Sequence, residues 1–478
     1  MIRILPFALW GIATLLAVFA RPVTPIDETR YLAVAWEMFR TGEYWLLTLN
    51  GELYAHKPPL LFWLISLGWT LTGVNDIWPR LLTATFGLGV LVLTRQCALN
   101  VFGKRRELAE LATLILASGA VWLLFTGAVM FDVPLTFFTL MAIHIVLGMT
   151  GRGRVIEWLL VGLALGFGFL MKGPVALLHV VPFVLLAPLW QPQISGGGAK
   201  FDSRWYVGIA LALLVTVLLA TSWLEPALAR GGPSLYDEFL WRQTIDRMAT
   251  TTHHLRPWWF YLAILPALLL PWLLLPAVWR GIRRLAVSRD SGRDLEVIRI
   301  VAAWVLPVLL ALSCFRGKQL HYLFPLLPAF SILMAHAIGR ATPKSERMLI
   351  AAPLFSVGVL IALYAVINLR FSAAYDTGSM AMRISALQDR GWTIANIGRY
   401  HGQYHFAGRL KRPIVVIEDD EDWQRFRLSR SDGFVVTYSR APRVNSFALL
   451  SVPFRSRYAT LWRLRDIRDR PFSEIEDQ

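Results

Sequence analysis

The sequence is short of cysteine and short of charge. Cys97 and Cys314 are the two cysteines among 478 residues. They form no C-x-x-C pair and no disulfide framework, so thiol-redox and zinc-finger chemistry find no support. Asp, Glu, Lys and Arg together make up 17% of the chain, against about 25% in soluble domains. Internal repeats are missing, and the one low-complexity tract is the loop Gly196-Gly197-Gly198. No His/Asp/Glu cluster has metal-ligand spacing, and His253-His254 read as a structural or surface pair, so neither a metal nor a cofactor is expected. The charge that exists is unbalanced, at +16. In a soluble protein that excess would suggest nucleic acid. This chain has no basic-aromatic module of the kind single-strand binders use, and no nucleic-acid partner is expected.

Apolar runs fill the space. Hydrophobic residues are 56% of the chain, arranged as stretches near the roughly 20 residues that cross a bilayer, with short charged links between them. The periodicity and length predict spans at 4–20, 80–100, 108–128, 133–149, 156–171, 174–190, 205–223, 257–279, 299–315, 322–339 and 348–367. Met1–Ala20 is read as an uncleaved first helix, because its apolar stretch outruns a signal-peptide core and many spans follow. Pro58–Gly73 is apolar but short for a crossing, and is read as interfacial or partly embedded.

Read so, the basic links fall on one side: Lys104–Arg106, Arg152 and Arg154, Lys200 and Arg204, Arg280–Arg299 and Arg340–Arg347. By the positive-inside rule that side is the cytoplasm, where these residues also meet anionic lipid. Segments 21–57, 128–132, 172–173, 224–256 and 316–321, and everything after about 368, face the other way. The tail is Arg-rich, but long translocated domains escape the rule. Its strand-like runs Ile394–Ile397, Ile414–Ile417, Phe434–Tyr438 and Ala448–Val452, with a helical stretch at Asp422–Leu428, predict a small α/β domain. The expected division is 1–368 for the membrane domain and 369–478 for the tail domain.

Five segments on the non-cytoplasmic face carry ionisable groups. In Asp27-Glu28-Thr29-Arg30-Tyr31, Arg30 lies three residues after Asp27 on one helical face. One carboxylate there suits a general base on an acceptor hydroxyl. In Asn50–Leu60, an Asn-Gly turn leads through Tyr54 to Lys57, which Pro58 and Pro59 stiffen. Asp132 stands alone between two apolar helices, and Lys172-Gly173-Pro174 repeats that arrangement with a cation. Arg316, Lys318, His321 and Tyr322 share the last link. Taken singly, each admits a plainer account: a solvated first turn, a snorkelling anchor, a helix cap. Taken together, three acids and five cations at one membrane surface suit a phosphate-linked lipid. The cations would neutralise the leaving phosphate while a carboxylate activates the incoming hydroxyl.

These strings, Asp27–Tyr31, Gly51–Leu60 ending in Lys57-Pro58-Pro59-Leu60, Asp132-Val133-Pro134-Leu135, Lys172-Gly173-Pro174 and Lys318–Pro325, resemble the bacterial aminoarabinose transferases. Those are lipid A glycosyltransferases of the GT-C fold, related more distantly to the protein O-mannosyltransferases. The resemblance covers roughly residues 1–340 in order and spacing. It implies an all-α polytopic membrane protein of GT-C fold, with about 11 to 13 transmembrane helices and a small α/β periplasmic C-terminal domain, in the bacterial inner membrane. It also implies a sugar donor on undecaprenyl phosphate and a lipid A-like or other cell-envelope acceptor. Asp27 becomes the expected base, with Asp132 and Glu28 as further catalytic carboxylates. Arg30, Tyr54, Lys57 and Tyr322, joined by Lys172 and Lys318, become the expected phosphate-binding set. A transporter or flippase for such a lipid is the competing reading. The ionisable residues gather at one face rather than at mid-depth, where only His144, His179 and His336 stand, and no inverted repeat is evident.

Overall fold

The computed structural model describes residues 4–103, 105–194, 202–236, 255–287, 292–341, 346–430, 432–442 and 447–476. His253 and His254, Lys104, Lys200 and the glycine loop 196–198 lie outside the described residues. The chain divides into two compact units, one formed by residues 1–19, 55–61 and 79–362 and the other by residues 20–54, 62–78 and 363–478.

The first unit is helical. Among the described residues of the whole chain, six helices are long and apolar enough to cross a membrane: Ile77–Phe102, Val155–Lys172, Trp205–Pro233, Gly292–Cys314, Leu320–Arg340 and Ala351–Arg370. A seventh candidate is the pair Arg106–Ala117 and Ala120–Thr126, bent by 65°. Leu5–Ala20, Leu60–Thr72, Asp132–Gly148 and Val175–Leu185 are shorter apolar helices. The chain is thus a multi-pass membrane protein. One expected span is corrected: 257–279 is not a single helix. It runs as a helix Phe260–Leu268, a 3-10 turn Trp272–Leu274 and a helix Pro276–Val287. Pro266, Pro271 and Pro276 each remove a backbone donor there, and a continuous ladder cannot survive three such losses in eleven residues.

Small residues let the helices approach. A side chain at Gly162 would meet the Ala212 carbonyl oxygen at 2.6 Å, and one at Gly166 would meet Leu219 at 2.5 Å. This Gly-x-x-x-Gly face of Val155–Lys172 packs on Trp205–Tyr236 as small-residue interfaces do in membranes.

The second unit holds the helix Asp27–Thr41, a short hairpin and the α/β tail. The hairpin pairs β1 (Thr48–Leu49) with β2 (Glu52–Leu53) through Asn50 and Gly51, both at positive φ (60° and 79°). Asn-Gly is the pair that such a turn favours, because a β-carbon is disfavoured at those angles. Asn50 also exchanges two hydrogen bonds with the Ile414 backbone, at 2.8 and 2.7 Å. Glu37, near the end of Asp27–Thr41, accepts from the Asn50 N–H at 2.5 Å and from Thr48 Oγ1 at 2.9 Å. His405 Nε2 lies 3.6 Å from the same carboxylate. One buried acid therefore ties the helix to the hairpin and to the tail.

The tail sheet has the order β4-β3-β5-β7-β6, with β3 (Ile394–Ile397), β4 (Val415–Ile417), β5 (Phe434–Ser439), β6 (Ala448–Phe454) and β7 (Arg457–Arg463). The first three strands are mutually parallel, and β5, β7 and β6 pair antiparallel. Residues alternate between two apolar layers: Ile394, Phe434, Val436 and Leu461 face one, and Ala395, Val435 and Trp462 the other. Four of the strands match the runs read from the sequence. The fifth, β7, carries arginine at both ends and shows no simple apolar alternation.

Candidate active site

Each unit carries its own cluster of ionisable groups. In the first, Asp132 opens the helix Asp132–Gly148 and is 2% exposed. The capping account fails, since the residue at the cap is Phe131 and no side chain caps the helix. The Asp132 carboxylate instead takes Lys172 Nζ at 2.5 Å on one oxygen and faces His321 Nε2 at 3.8 Å on the other. Lys57 is a further cation that bears on it. Lys172 ends one helix, Gly173 turns at φ 80°, and Pro174 leads the next helix. A turn at such φ suits glycine, and proline supplies the fixed φ of a helix start, so Lys-Gly-Pro throws the ammonium out at the break. That ammonium also lies 4.9 Å over the Tyr322 ring, and Lys57 Nζ lies 5.9 Å from the Phe131 ring. Asp132, Lys172, Tyr322 and Lys57 are therefore brought together, with His321 among them. His321 stood in the last ionisable segment but not among the expected site residues.

Lys318 does something else. It is 4% exposed, and its ammonium donates to the Arg256 carbonyl at 3.2 Å and to the Phe315 carbonyl. Burial lowers its pKa. The Gly317–Leu255 bridge runs alongside, so Lys318 closes the start of the broken segment onto the link at 315–319. Arg316 is exposed.

In the second unit, Asp27 and Glu28 are neighbours with opposite surroundings. The Asp27 side chain is 44% exposed and is paired with Arg30, one helical turn on. Tyr31 lies against Arg30, its ring 5.5 Å from the guanidinium, and Tyr54 is another of the phenols that bear on that cation. Glu28 is 3% exposed and bound on both oxygens by Arg21, at 2.5 and 2.8 Å, with the Thr24 N–H at 2.9 Å. Arg21 was not a candidate, because no local motif in the sequence links it to Glu28, seven residues on. Asp27, Arg30 and Tyr54 keep the company expected of them, while Glu28 is committed to a buried pair.

Among the described residues no group of three or more His, Cys, Asp or Glu is placed to hold a metal ion.

The family model for dolichyl-phosphate-mannose-protein mannosyltransferases matches residues 9–227. The chain is 29% identical, over 384 residues, to the undecaprenyl phosphate-alpha-4-amino-4-deoxy-L-arabinose arabinosyl transferase of Pseudomonas savastanoi pv. phaseolicola, covering 77% of this chain and 68% of that one. It is 32% identical, over 361 residues, to the corresponding transferase 1 of Sodalis glossinidius, covering 72% of this chain and 60% of the relative. In structure it resembles ArnT from Cupriavidus metallidurans, solved bound to undecaprenyl phosphate, with a TM-score of 0.70 at 16% identity over 96% of this chain and 97% of that one. The oligosaccharyltransferase of Archaeoglobus fulgidus gives a TM-score of 0.53 at 12% identity, over 91% and 69% of the two chains. At those identities the structural likeness speaks for the fold.

Proposed function

From the GT-C fold and the similarity to the aminoarabinose transferases, we propose that the chain is a membrane glycosyltransferase of that branch of the protein O-mannosyltransferase superfamily, and that it moves a sugar from undecaprenyl phosphate to a lipid A-like acceptor at the periplasmic face of the bacterial inner membrane. The relatives' names and the lipid bound to the Cupriavidus protein support the donor class. The observation that carries the reading is the cation set around Asp132. Lys172 and Lys57 bear on one buried carboxylate, beside Tyr322 and His321. Such a set holds its ammonium groups in fixed places before any phosphate arrives, which is how charge developing on a leaving phosphate is stabilised most effectively.

In the proposed reaction an acceptor oxygen attacks the anomeric carbon, and the bond from that carbon to the carrier phosphate oxygen breaks. The proton of the acceptor O–H passes to Asp27, and undecaprenyl phosphate leaves with the extra negative charge. Asp27 suits the base because it is half-exposed and, among the described residues, its ion-pair partner is Arg30 of its own helix. Lys57, Lys172 and Tyr322 bind the phosphate and Asp132 positions Lys172, while Arg30, on which Tyr54 bears, pairs with Asp27. Residues 1–368 would form the catalytic membrane domain and 369–478 the periplasmic α/β domain.

The test is mass spectrometry of membrane lipids and envelope glycans from cells with the protein, without it, and with Asp27→Asn. Loss of one defined sugar in both the null and the variant is expected. An unchanged profile across lipids, polysaccharides and proteins would overturn transfer in favour of transport.

A further inference from the structure

The tail holds a cationic cleft that the reaction above does not use. In the tail sheet, β3 connects outward to β4, and β4 then crosses back to β5 on the other side of β3. Neighbouring parallel strands whose connections leave in opposite directions part at their carboxyl ends, and the crevice there is where open α/β sheets bind ligands. A cavity of about 350 Å³ lies at that place. It is lined by Ile397, Gly398 and Arg399 leaving β3, by Tyr438 near the end of β5, and by Ile26, the residue before Asp27. The β6–β7 hairpin closes another side with Arg455 and Arg457.

Its charge is of one sign. Arg399, His401, Arg455 and Arg457 all line the cavity, and among the described residues no carboxylate does. Among the described residues none of these three arginines has an ion-pair partner, and all three are exposed at the mouth. The polar floor is fixed: Gln403 Nε2 donates to Tyr438 Oη at 2.8 Å, its Oε1 accepts the His401 N–H at 2.9 Å, and Tyr438 Oη donates to Asn396 at 2.9 Å. Arg455 occupies the two-residue turn between Phe454 and Arg457 at φ 57°. Asn or Gly is the usual occupant of such a turn, so an arginine there is held against its backbone preference. The charges that bear on His401 include Arg30 and Asp27, which places the cleft beside the proposed base.

Three arginines that line one cavity of small-ligand size, with no ion-pair partner among the described residues, match a phosphate, whose oxygens take forked N–H donors. Ile26, Ile397 and Phe454 supply an apolar wall for one sugar face. We propose that this cleft binds the phosphomonoester of a phosphorylated sugar headgroup and so anchors the acceptor next to Asp27. The role as acceptor anchor rests on the transferase reading; the phosphomonoester site stands on the cleft alone.

The experiment measures binding to the full-length protein in nanodiscs with three probes: a phosphorylated glucosamine-disaccharide lipid, its dephosphorylated counterpart, and inorganic phosphate. Arg399→Gln and Arg457→Gln remove exposed charges, and Arg455→Asn does so with a residue that tolerates the turn. Each should weaken the phosphorylated lipid about tenfold, as loss of a charge-assisted hydrogen bond does. Arg399→Gln/Arg455→Asn should erase the preference for the phosphorylated lipid altogether. Unchanged preference in that double variant overturns the proposal even if sugar transfer is confirmed. Inorganic phosphate competing as well as the lipid at equal concentration overturns the headgroup assignment in favour of the free anion. Conversely, arginine-dependent selectivity in a protein that transfers no sugar supports the cleft while the transferase reading falls.

Discussion

Asp132 and Asp27 each face a cation, yet the two arrangements differ in kind. Asp132 is almost fully buried and is shared by Lys172, His321 and Lys57, drawn from three separate stretches of the chain. Asp27 is half-exposed and meets an arginine from its own helix, three residues away. Removing a partner from a buried pair strands a charge without water, whereas an exposed pair is screened and worth little. The lesson is that the first arrangement spends its carboxylate on holding cations in place, and the second leaves its carboxylate free to act.

The largest effect should come from breaking the free member. Asp27→Asn is expected to lower sugar transfer by about 10² to 10⁴-fold, the usual worth of a general base. It should cost under about 1 kcal/mol of stability, as exposed pairs do. A turnover assay and a melting curve on the same detergent-solubilised protein separate the two. Transfer that survives would move the base to Asp132.

Asp132→Asn should do the reverse first, destabilising the fold by about 3 to 5 kcal/mol through the uncompensated Lys172. The comparison sharpens with Asp132→Leu/Lys172→Met. That double variant should recover most of the melting temperature, because apolar replacement of a buried pair is often neutral, while transfer stays absent. If Asp132→Asn melts like the wild type, the pair is not buried in the working protein.

Glu28→Gln tests the neighbour of Asp27. It leaves Arg21 with one charge fewer, and a stability loss of up to about 3 kcal/mol is expected. Activity per folded molecule should fall far less than in Asp27→Asn. Equal losses of activity would return Glu28 to the catalytic set.

The smallest effect is a pH dependence in the second unit. Burial, with Arg40 nearby, lowers His405 from 6.5 to about 4, and Tyr400 Oη lies 2.7 Å from its Nδ1. Among the described residues the carboxylate paired with it is Glu37, 3.6 Å from its Nε2. A histidine depressed in the folded state binds its proton more readily when unfolded, so stability is lost as pH falls from 6.5 towards about 4. The slope is at most about 1.4 kcal/mol per pH unit. His405→Gln should flatten it in melting curves taken across that range, and an unchanged slope would place the titration elsewhere.

Much of the candidate site's local geometry was legible because it is written in short strings. Lys172-Gly173-Pro174 announces a helix end with a cation at the break, and Asn50-Gly51 announces a hairpin. The i, i+3 spacing of Asp27 and Arg30 announces their pairing. The tail strands at 394–397 and 434–438 were legible from apolar runs, while β7 was not, because arginines at 457 and 463 frame it. The break of 257–279 was present as three prolines, but average hydropathy over a window does not register lost donors.

What the sequence determined by itself was the class of the molecule and the kind of chemistry. Bilayer thickness and backbone hydrogen bonding turn long apolar runs into spanning helices wherever they occur, and charge cannot hide in lipid. What only tertiary structure decided was which charges are spent and which are free. Glu28 and Asp27 are adjacent, and nothing local distinguishes them; Arg21 and burial do. Lys318 is expected from the sequence as a phosphate ligand, and only the fold shows its ammonium on the Arg256 and Phe315 carbonyls. Arg399, His401, Arg455 and Arg457 are separated by up to 58 positions and meet only because the sheet brings the ends of β3 and the β6–β7 hairpin together. Desolvation and partner choice depend on residues distant in the chain, and those are properties of the fold.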